Sequence, residues 1–206
     1  MSQPRNAIYI IAVLHLVGIF GLNSGLREFF SLLTPVNLLV AAGLMLYSTS
    51  GLNAKGVFGL LFVVLSGFAV EWVGVNKGFP FGNYAYGTVL GPKVGNTPLL
   101  IGVNWGLLAF TSLLIARRIT SKVLFISIIA GALMMGLDIL IEPVAIQTGM
   151  WHWYGEHPPL QNYIAWFVIA TVLTGVLHKL APTIKNEASV GFYTIQVVFF
   201  AVMNLC

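Results

Sequence analysis

Seven stretches of about 20 mostly apolar residues, the length at which a helix crosses a hydrocarbon layer, take up nearly all of this sequence. They fall at residues 7–23, 29–47, 56–76, 97–116, 122–146, 161–180 and 189–204. Lipid offers no partner to a bare backbone amide, so such stretches are stable there only as helices or closed barrels, and their length selects helices. The composition agrees: 8% of the residues are charged, against about a quarter in a soluble domain. The expected fold is an all-α polytopic transmembrane helical bundle of about seven spans. With no internal repeat and no low-complexity linker, residues 1–206 read as a single integral membrane domain. The first stretch is long for a signal-peptide core and lacks a small-residue cleavage site, so it is expected to stay as a helix.

Seven spans sort the basic residues by side. Arg5, Lys55, Arg117, Arg118, Lys122, Lys179 and Lys185 fall on one side, and Arg27, Lys77 and Lys93 on the other. The positive-inside rule places the richer side in the cytoplasm. An integral protein of a bacterial inner membrane is expected, with the N-terminus cytoplasmic and the C-terminus outside. The basic excess, ten Lys and Arg against six Asp and Glu, then reflects topology and membrane lipid rather than nucleic acid. The single cysteine, Cys206, allows no internal disulfide and does not fit a prenylation box.

The same threading brings two long aromatic loops, from Lys77 to Asn96 and from Gln147 to Leu160, to one side. Glu71 lies near that end of its helix, and so do Asp138 and Glu142. Asn104 and Trp105, and Asn162 and Trp166, begin helices that start from the same side. Five separate pieces of sequence thus deliver polar groups to one end of the bundle.

Asp138 and Glu142 are the strongest signal. A spacing of four puts both carboxyls on one helical face, with Asp138 about 12 Å from the helix end. An ionised carboxylate at such depth costs at least about 2.5 kcal/mol. Two neighbouring acids in low dielectric do not both ionise easily, so at least one is expected to hold its proton at neutrality. Pro143 removes a backbone donor and frees the carbonyl of Ile139. The plainer reading of such a pair is a packing device bonded to a neighbouring helix; an acidic pair inside a span favours function. Glu71 follows Gly67 by four residues, and the glycine admits close approach of a helix or ligand; an interfacial carboxylate reaching water is the alternative. The loop Gly78-Phe79-Pro80-Phe81-Gly82-Asn83-Tyr84-Ala85-Tyr86-Gly87 is either folded back into the bundle mouth or part of an aromatic belt. Trp151, Trp153 and Tyr154 carry the same ambiguity. The histidines His15, His152, His157 and His178 form no cluster of the di-iron hydroxylase kind. No P-loop, dinucleotide fingerprint or nucleophile elbow occurs. No cofactor and no metal are expected.

Glu71-Trp72-x-Gly74-Val75, the Gly78–Gly82 loop with Tyr84 and Tyr86, Leu90-Gly91-Pro92, Pro98, Asn104-Trp105, Asp138, Glu142-Pro143, Trp151-x-Trp153 and Asn162 to Trp166 together resemble the carotenoid 1,2-hydratase family. That membrane group takes in bacterial γ-carotene hydratases and archaeal bisanhydrobacterioruberin hydratases. The resemblance covers roughly residues 65–170. It implies addition of water across the terminal C1–C2 double bond of an acyclic or monocyclic carotenoid, such as lycopene or γ-carotene, giving a tertiary alcohol.

Chemistry distributes the roles. An isolated alkene is a weak base, so it needs a buried carboxylic acid; Asp138, the deeper of its pair, is expected to donate the proton. Glu142 beside it opposes its ionisation. Glu71 is expected to act as the base that positions water, helped by Asn83, Asn104 or Asn162. Trp72, Phe79, Phe81, Tyr84, Tyr86, Trp105, Trp151, Trp153 and Trp166 are expected to line the pocket, where an aromatic face stabilises a desolvated cation by about 2 kcal/mol. A carotenoid end-group cyclase, which traps the same cation with an internal double bond, is the nearest alternative. A proton-coupled transporter or a non-catalytic carotenoid-binding protein are the others; the former lacks the inverted repeats that favour it, and the latter has no need of carboxyls.

Overall fold

A computed structural model describes residues 3–155 and 157–206. The helices are α1 (Gln3–Leu22), α2 (Arg27–Leu32), α3 (Thr34–Tyr47), α4 (Ala54–Lys77), α5 (Leu99–Ile119), α6 (Val123–Gln147), α7 (Leu160–Leu180) and α8 (Ser189–Met203). Counting α2 and α3 as one span, six helices are long and apolar enough to cross a membrane; α8, with 15 residues, is a shorter apolar helix. The protein is therefore an all-α transmembrane bundle, and all seven expected stretches are helical.

The second stretch is broken where a continuous helix was expected. Pro35 sits in the first turn of α3, and a proline there cannot donate to the carbonyl four residues back. Leu33 takes up the joint, its amide bonding to the carbonyl of Phe30 while its own carbonyl starts α3.

Helix α5 is the hub. Nearly three quarters of its apolar window, 72%, is buried inside the protein, against 17% for the α2–α3 span, which leaves most of its surface to lipid. Small residues bring neighbours close to it. A Cβ on Gly67 of α4 would stand 2.4 Å from Cβ of Trp105, and one on Gly102 would stand 2.6 Å from the carbonyl of Val64. Without a hydrophobic drive between helices in lipid, this close fit is what holds them. Between α6 and α7 the same device recurs at Gly131, which faces Thr171.

The two long loops are not loose. They contribute strands β1 (Tyr84–Tyr86), β2 (Lys93–Val94), β3 (Thr97–Pro98) and β4 (Trp151–Trp153). β1 pairs antiparallel with β4, Tyr84 opposite Trp153 and Tyr86 opposite Trp151; β2 pairs with β3. Gly87 continues the first ribbon, its amide bonding to the carbonyl of Met150. A Cβ there would stand 2.0 Å from the carbonyl oxygen of Gly149, so only glycine allows that approach.

The opposite end is tied by its basic residues. The Arg117 guanidinium donates to the carbonyls of His178 (3.1 Å), Ala181 (2.9 Å) and Ile184 (3.4 Å), occupying the open carbonyls where α7 ends. Ser50 and Lys185 pair through their backbones at the same end.

Candidate active site

Each wall of the site comes from a different element. Glu71 lies under two turns before the end of α4 and Asp138 about two and a half turns before the end of α6. Asn104 and Trp105 enter from the first turns of α5, and Asn162 and Trp166 from those of α7. The β1–β4 ribbon closes the top. Side chains alternate across a strand, so Tyr84, Tyr86, Trp151 and Trp153 share the inward face while His152 is left exposed outside. Four of the five tryptophans and three of the six acidic residues thereby meet in one place.

Glu71, Asp138 and Glu142 are only 2%, 3% and 3% exposed. Their partners differ in a way that separates them chemically. Glu71 accepts from the phenols of Tyr84 (2.5 Å) and Tyr86 (2.8 Å) on one oxygen and from the Trp105 indole N–H (2.9 Å) on the other. Glu142 Oε1 accepts from the indoles of Trp151 (2.7 Å) and Trp153, and its Oε2 has no partner among the described residues. Asp138 accepts a single long bond, 3.2 Å, from the Asn162 amide. A donor-only shell suits an ionised carboxylate, which can only accept. The nearly bare Asp138 is the one carboxyl with a free oxygen and no strong donor, the condition that suits the acid form. Burial, and after it the Glu71 carboxylate, push the phenols of Tyr84 and Tyr86 above the ordinary tyrosine range, so both stay protonated donors. Lys93 Nζ donates to the Tyr86 carbonyl at 2.6 Å and pins that strand.

Aromatic rings fill the rest of the wall. Trp105 and Trp166 stack at 4.0 Å between centroids, 15° from parallel, with Phe81 tilted against both. Tyr84 lies 5.0 Å from Trp153, and Tyr86 6.0 Å from Trp151.

Between the carboxyls is a cavity of about 20 Å³, lined by Glu71, Asp138, Glu142, Asn104, Asn162 and the surrounding rings. That is room for one water with several polar partners. It adjoins a larger apolar cavity of about 260 Å³ enclosed by α1, α2, α3, α5, α6 and α8. Ile101, Asn104, Ile141 and Trp151 line both. The Asn104 amide stands at that junction and has no hydrogen-bond partner among the described residues. No group of three or more His, Cys, Asp or Glu side chains among the described residues is arranged to hold a metal ion.

Of the residues expected at the site, Glu71, Phe81, Tyr84, Tyr86, Asn104, Trp105, Asp138, Glu142, Trp151, Trp153, Asn162 and Trp166 are brought together. Three are not. Trp72 is the neighbour of Glu71, and the helical turn points it the other way: it is 40% exposed and packs beside Gly95. Phe79 is 68% exposed and borders an outer groove between α4 and α7. Asn83 is exposed; its side chain folds over Gly78 and its carbonyl accepts from the Tyr154 amide, which makes it a loop-holding residue. The large cavity is the feature that sequence reasoning missed. Its walls on α1, α3 and α8 are ordinary apolar spans, and the isolated polar residues His15 and Gln196 were the signal within them.

Residues 30–206 match the family described as carotenoid biosynthesis proteins. The chain is also 29% identical over 125 residues to the bisanhydrobacterioruberin hydratase of Haloarcula japonica, an alignment covering 55% of this chain and 41% of that protein. No solved structure matches it. A match over most of the chain, on a bundle that places its acids at the end of an apolar cavity, leaves one conclusion: the chain belongs to the carotenoid biosynthesis protein family.

Proposed function

We propose that the protein hydrates the terminal C1–C2 double bond of an acyclic carotenoid end group. The observation that carries this reading is the junction of two cavities, one apolar and chain-sized, the other water-sized and walled by three carboxyls. The relative from Haloarcula japonica, a hydratase by name, supports it, although this chain spans less than half of that protein's length.

The apolar end group lies in the larger cavity with its terminal double bond at Asn104. The Asp138 carboxyl transfers its proton to C2, and the π electrons form the new C–H bond. C1 becomes a tertiary cation, facing rings whose faces favour positive charge and the Glu71 carboxylate held by its three donors. Water in the small cavity forms the C1–O bond and gives up a proton to Glu142 Oε2, the carboxylate oxygen left free. Exchange with solvent returns a proton to Asp138. In this reading the base is Glu142 rather than Glu71, whose two oxygens are already engaged, and Asn104, an amide without a partner among the described residues, orients the water. A second carboxyl at this spacing has no use in mere binding of a hydrocarbon.

Val17 of α1 and Val36 and Val40 of α3 line the large cavity and are themselves exposed. Exposed apolar residues at the cavity wall suit a substrate dissolved in the membrane.

The test is expression in a host that accumulates lycopene or γ-carotene, with pigments analysed by mass. A product heavier by one water supports hydration. An isomer of unchanged mass points instead to the cyclase, and unaltered pigment beside well-expressed protein overturns the proposal. Asp138→Asn is expected to lower turnover by about 10²–10⁴-fold, the contribution of a positioned general acid, while eluting as a folded protein.

A further inference from the structure

The large apolar cavity has a definite depth along the bundle. Its wall runs from Leu14 to Leu22 on α1, from Thr34 to Ala41 on α3, from Leu100 to Leu108 on α5 and from Phe192 to Phe200 on α8. Each stretch covers seven or eight helical steps, about 10–12 Å of helix, and each lies toward the end that holds the acids. About one turn deeper, Ile11 of α1, Met45 of α3 and Leu113 of α5 are fully buried. The packed core resumes there, so the cavity ends near the middle of the bundle.

Its sides differ. Val17, Leu33, Val36 and Val40 line the cavity and are exposed, and they stand on α1 and the α2–α3 span; the lining residues of α5, α6 and α8 are buried or half-buried. An extended carbon chain advances about 1.2 Å per bond, as an extended backbone does. The cavity therefore takes roughly ten bonds, or two to three isoprene units, whereas a carotenoid is about three times as long. With its terminal double bond at Asn104, most of such a chain lies outside the cavity. The wall of α1 and the α2–α3 span is the one exposed to an apolar solvent.

We infer that the cavity recognises only the last two to three isoprene units of its substrate, while the remainder passes between α1 and the α2–α3 span and stays in lipid. The substrate class is then set by the end group: acyclic isoprenoids that finish in a dimethyl-substituted double bond, whatever their total length and whether or not the middle is conjugated. Lycopene and squalene share that end, a terminal double bond followed by a short saturated stretch and a second methyl-branched double bond. They differ in the part that lies in lipid. A longer chain gains nothing there, because lipid tails are as apolar as the side chains they would replace. This rests on the proposed hydration for the position of the double bond; the reach of the cavity is a matter of binding.

The test offers lycopene and squalene, at equal mole fraction in detergent, to the solubilised full chain. Both are expected to gain one water, at rates within about tenfold of each other; hydrated lycopene beside untouched squalene overturns the inference. Binding is read apart from turnover, as thermal stabilisation by fifteen-carbon farnesene and thirty-carbon squalene. Their affinities are expected to agree within about tenfold, since both present the same end to the cavity; a larger gain for squalene overturns it. A variant carrying both Val36→Trp and Val40→Trp enlarges side chains that are already exposed, so the bundle can hold them. It is expected to weaken squalene about tenfold and to leave farnesene unchanged, which also reports an intact cavity. Unchanged squalene binding, or a parallel loss of both probes, overturns the exit between α1 and the α2–α3 span. If lycopene is not hydrated while farnesene and squalene still bind alike, the proposed reaction fails and the reach of the cavity stands.

Discussion

Glu71 is held by two phenols and an indole from three positions in the chain, Tyr84, Tyr86 and Trp105. Hydrogen bonds to a charged acceptor contribute about 1.5–3 kcal/mol each, and a buried partner left alone costs a comparable amount. Tyr84→Phe is expected to lower thermal stability by that order and to slow turnover about tenfold or more. Combining it with Glu71→Gln provides the check: because the two share one bond, the double variant should lose less than the sum, by roughly 0.5–3 kcal/mol. Strict additivity in the melting data would mean that the phenol does not serve the carboxylate. Among single residues, Asp138 and Glu142 could be read from their spacing alone. The difference in their hydrogen-bond shells could not, because it depends on which indoles and amides from other elements reach each oxygen.

At the scale of elements, the site depends on how closely α4 lies on α5. Gly67→Ala puts a methyl group 2.4 Å from Cβ of Trp105, an atom fixed to the backbone, so the helices must part. Overpacking of this kind costs about 1–3 kcal/mol, and the Trp105 indole would move off Glu71. Loss of pigment conversion together with a lower melting temperature is the expected result. Gly43 of α3 has nothing within 4 Å of an added Cβ, so Gly43→Ala should leave activity intact and add up to about 1 kcal/mol through helix propensity. Equal effects of the two substitutions would remove the argument. The β1–β4 ribbon shows the same dependence on elements: Tyr84-x-Tyr86 and Trp151-x-Trp153 carry the alternation of a strand, but only pairing turns four rings toward the acids.

For the whole molecule, the two ends of the bundle differ in charge. The acids and the ribbon occupy one end, the Arg117 latch and the Ser50–Lys185 bridge the other. The excess of basic residues at the latch end predicts that this end is cytoplasmic. Cys206 is exposed and is the single cysteine, which makes it a natural reporter at the site end. A membrane-impermeant maleimide is expected to label it on intact cells, with Cys206→Ser as the blank. Labelling only after the membrane is broken would reverse the orientation and open the site to the cytoplasm.

The seven apolar helical stretches and the gathering of acids and aromatic residues at one end were determined by sequence alone. Each follows from local rules: the length that crosses a bilayer, the cost of a charge in lipid, and the parity of successive spans. Tertiary structure decided the rest. It turned Trp72 and Phe79 outward, broke the second span at Pro35, surrounded both oxygens of Glu71 with donors, and opened a cavity lined by His15, Asn37 and Gln196. These outcomes turn on which faces of apolar helices meet, and in lipid that choice is made by packing between side chains of similar hydrophobicity, a property of pairs of helices that no single stretch carries.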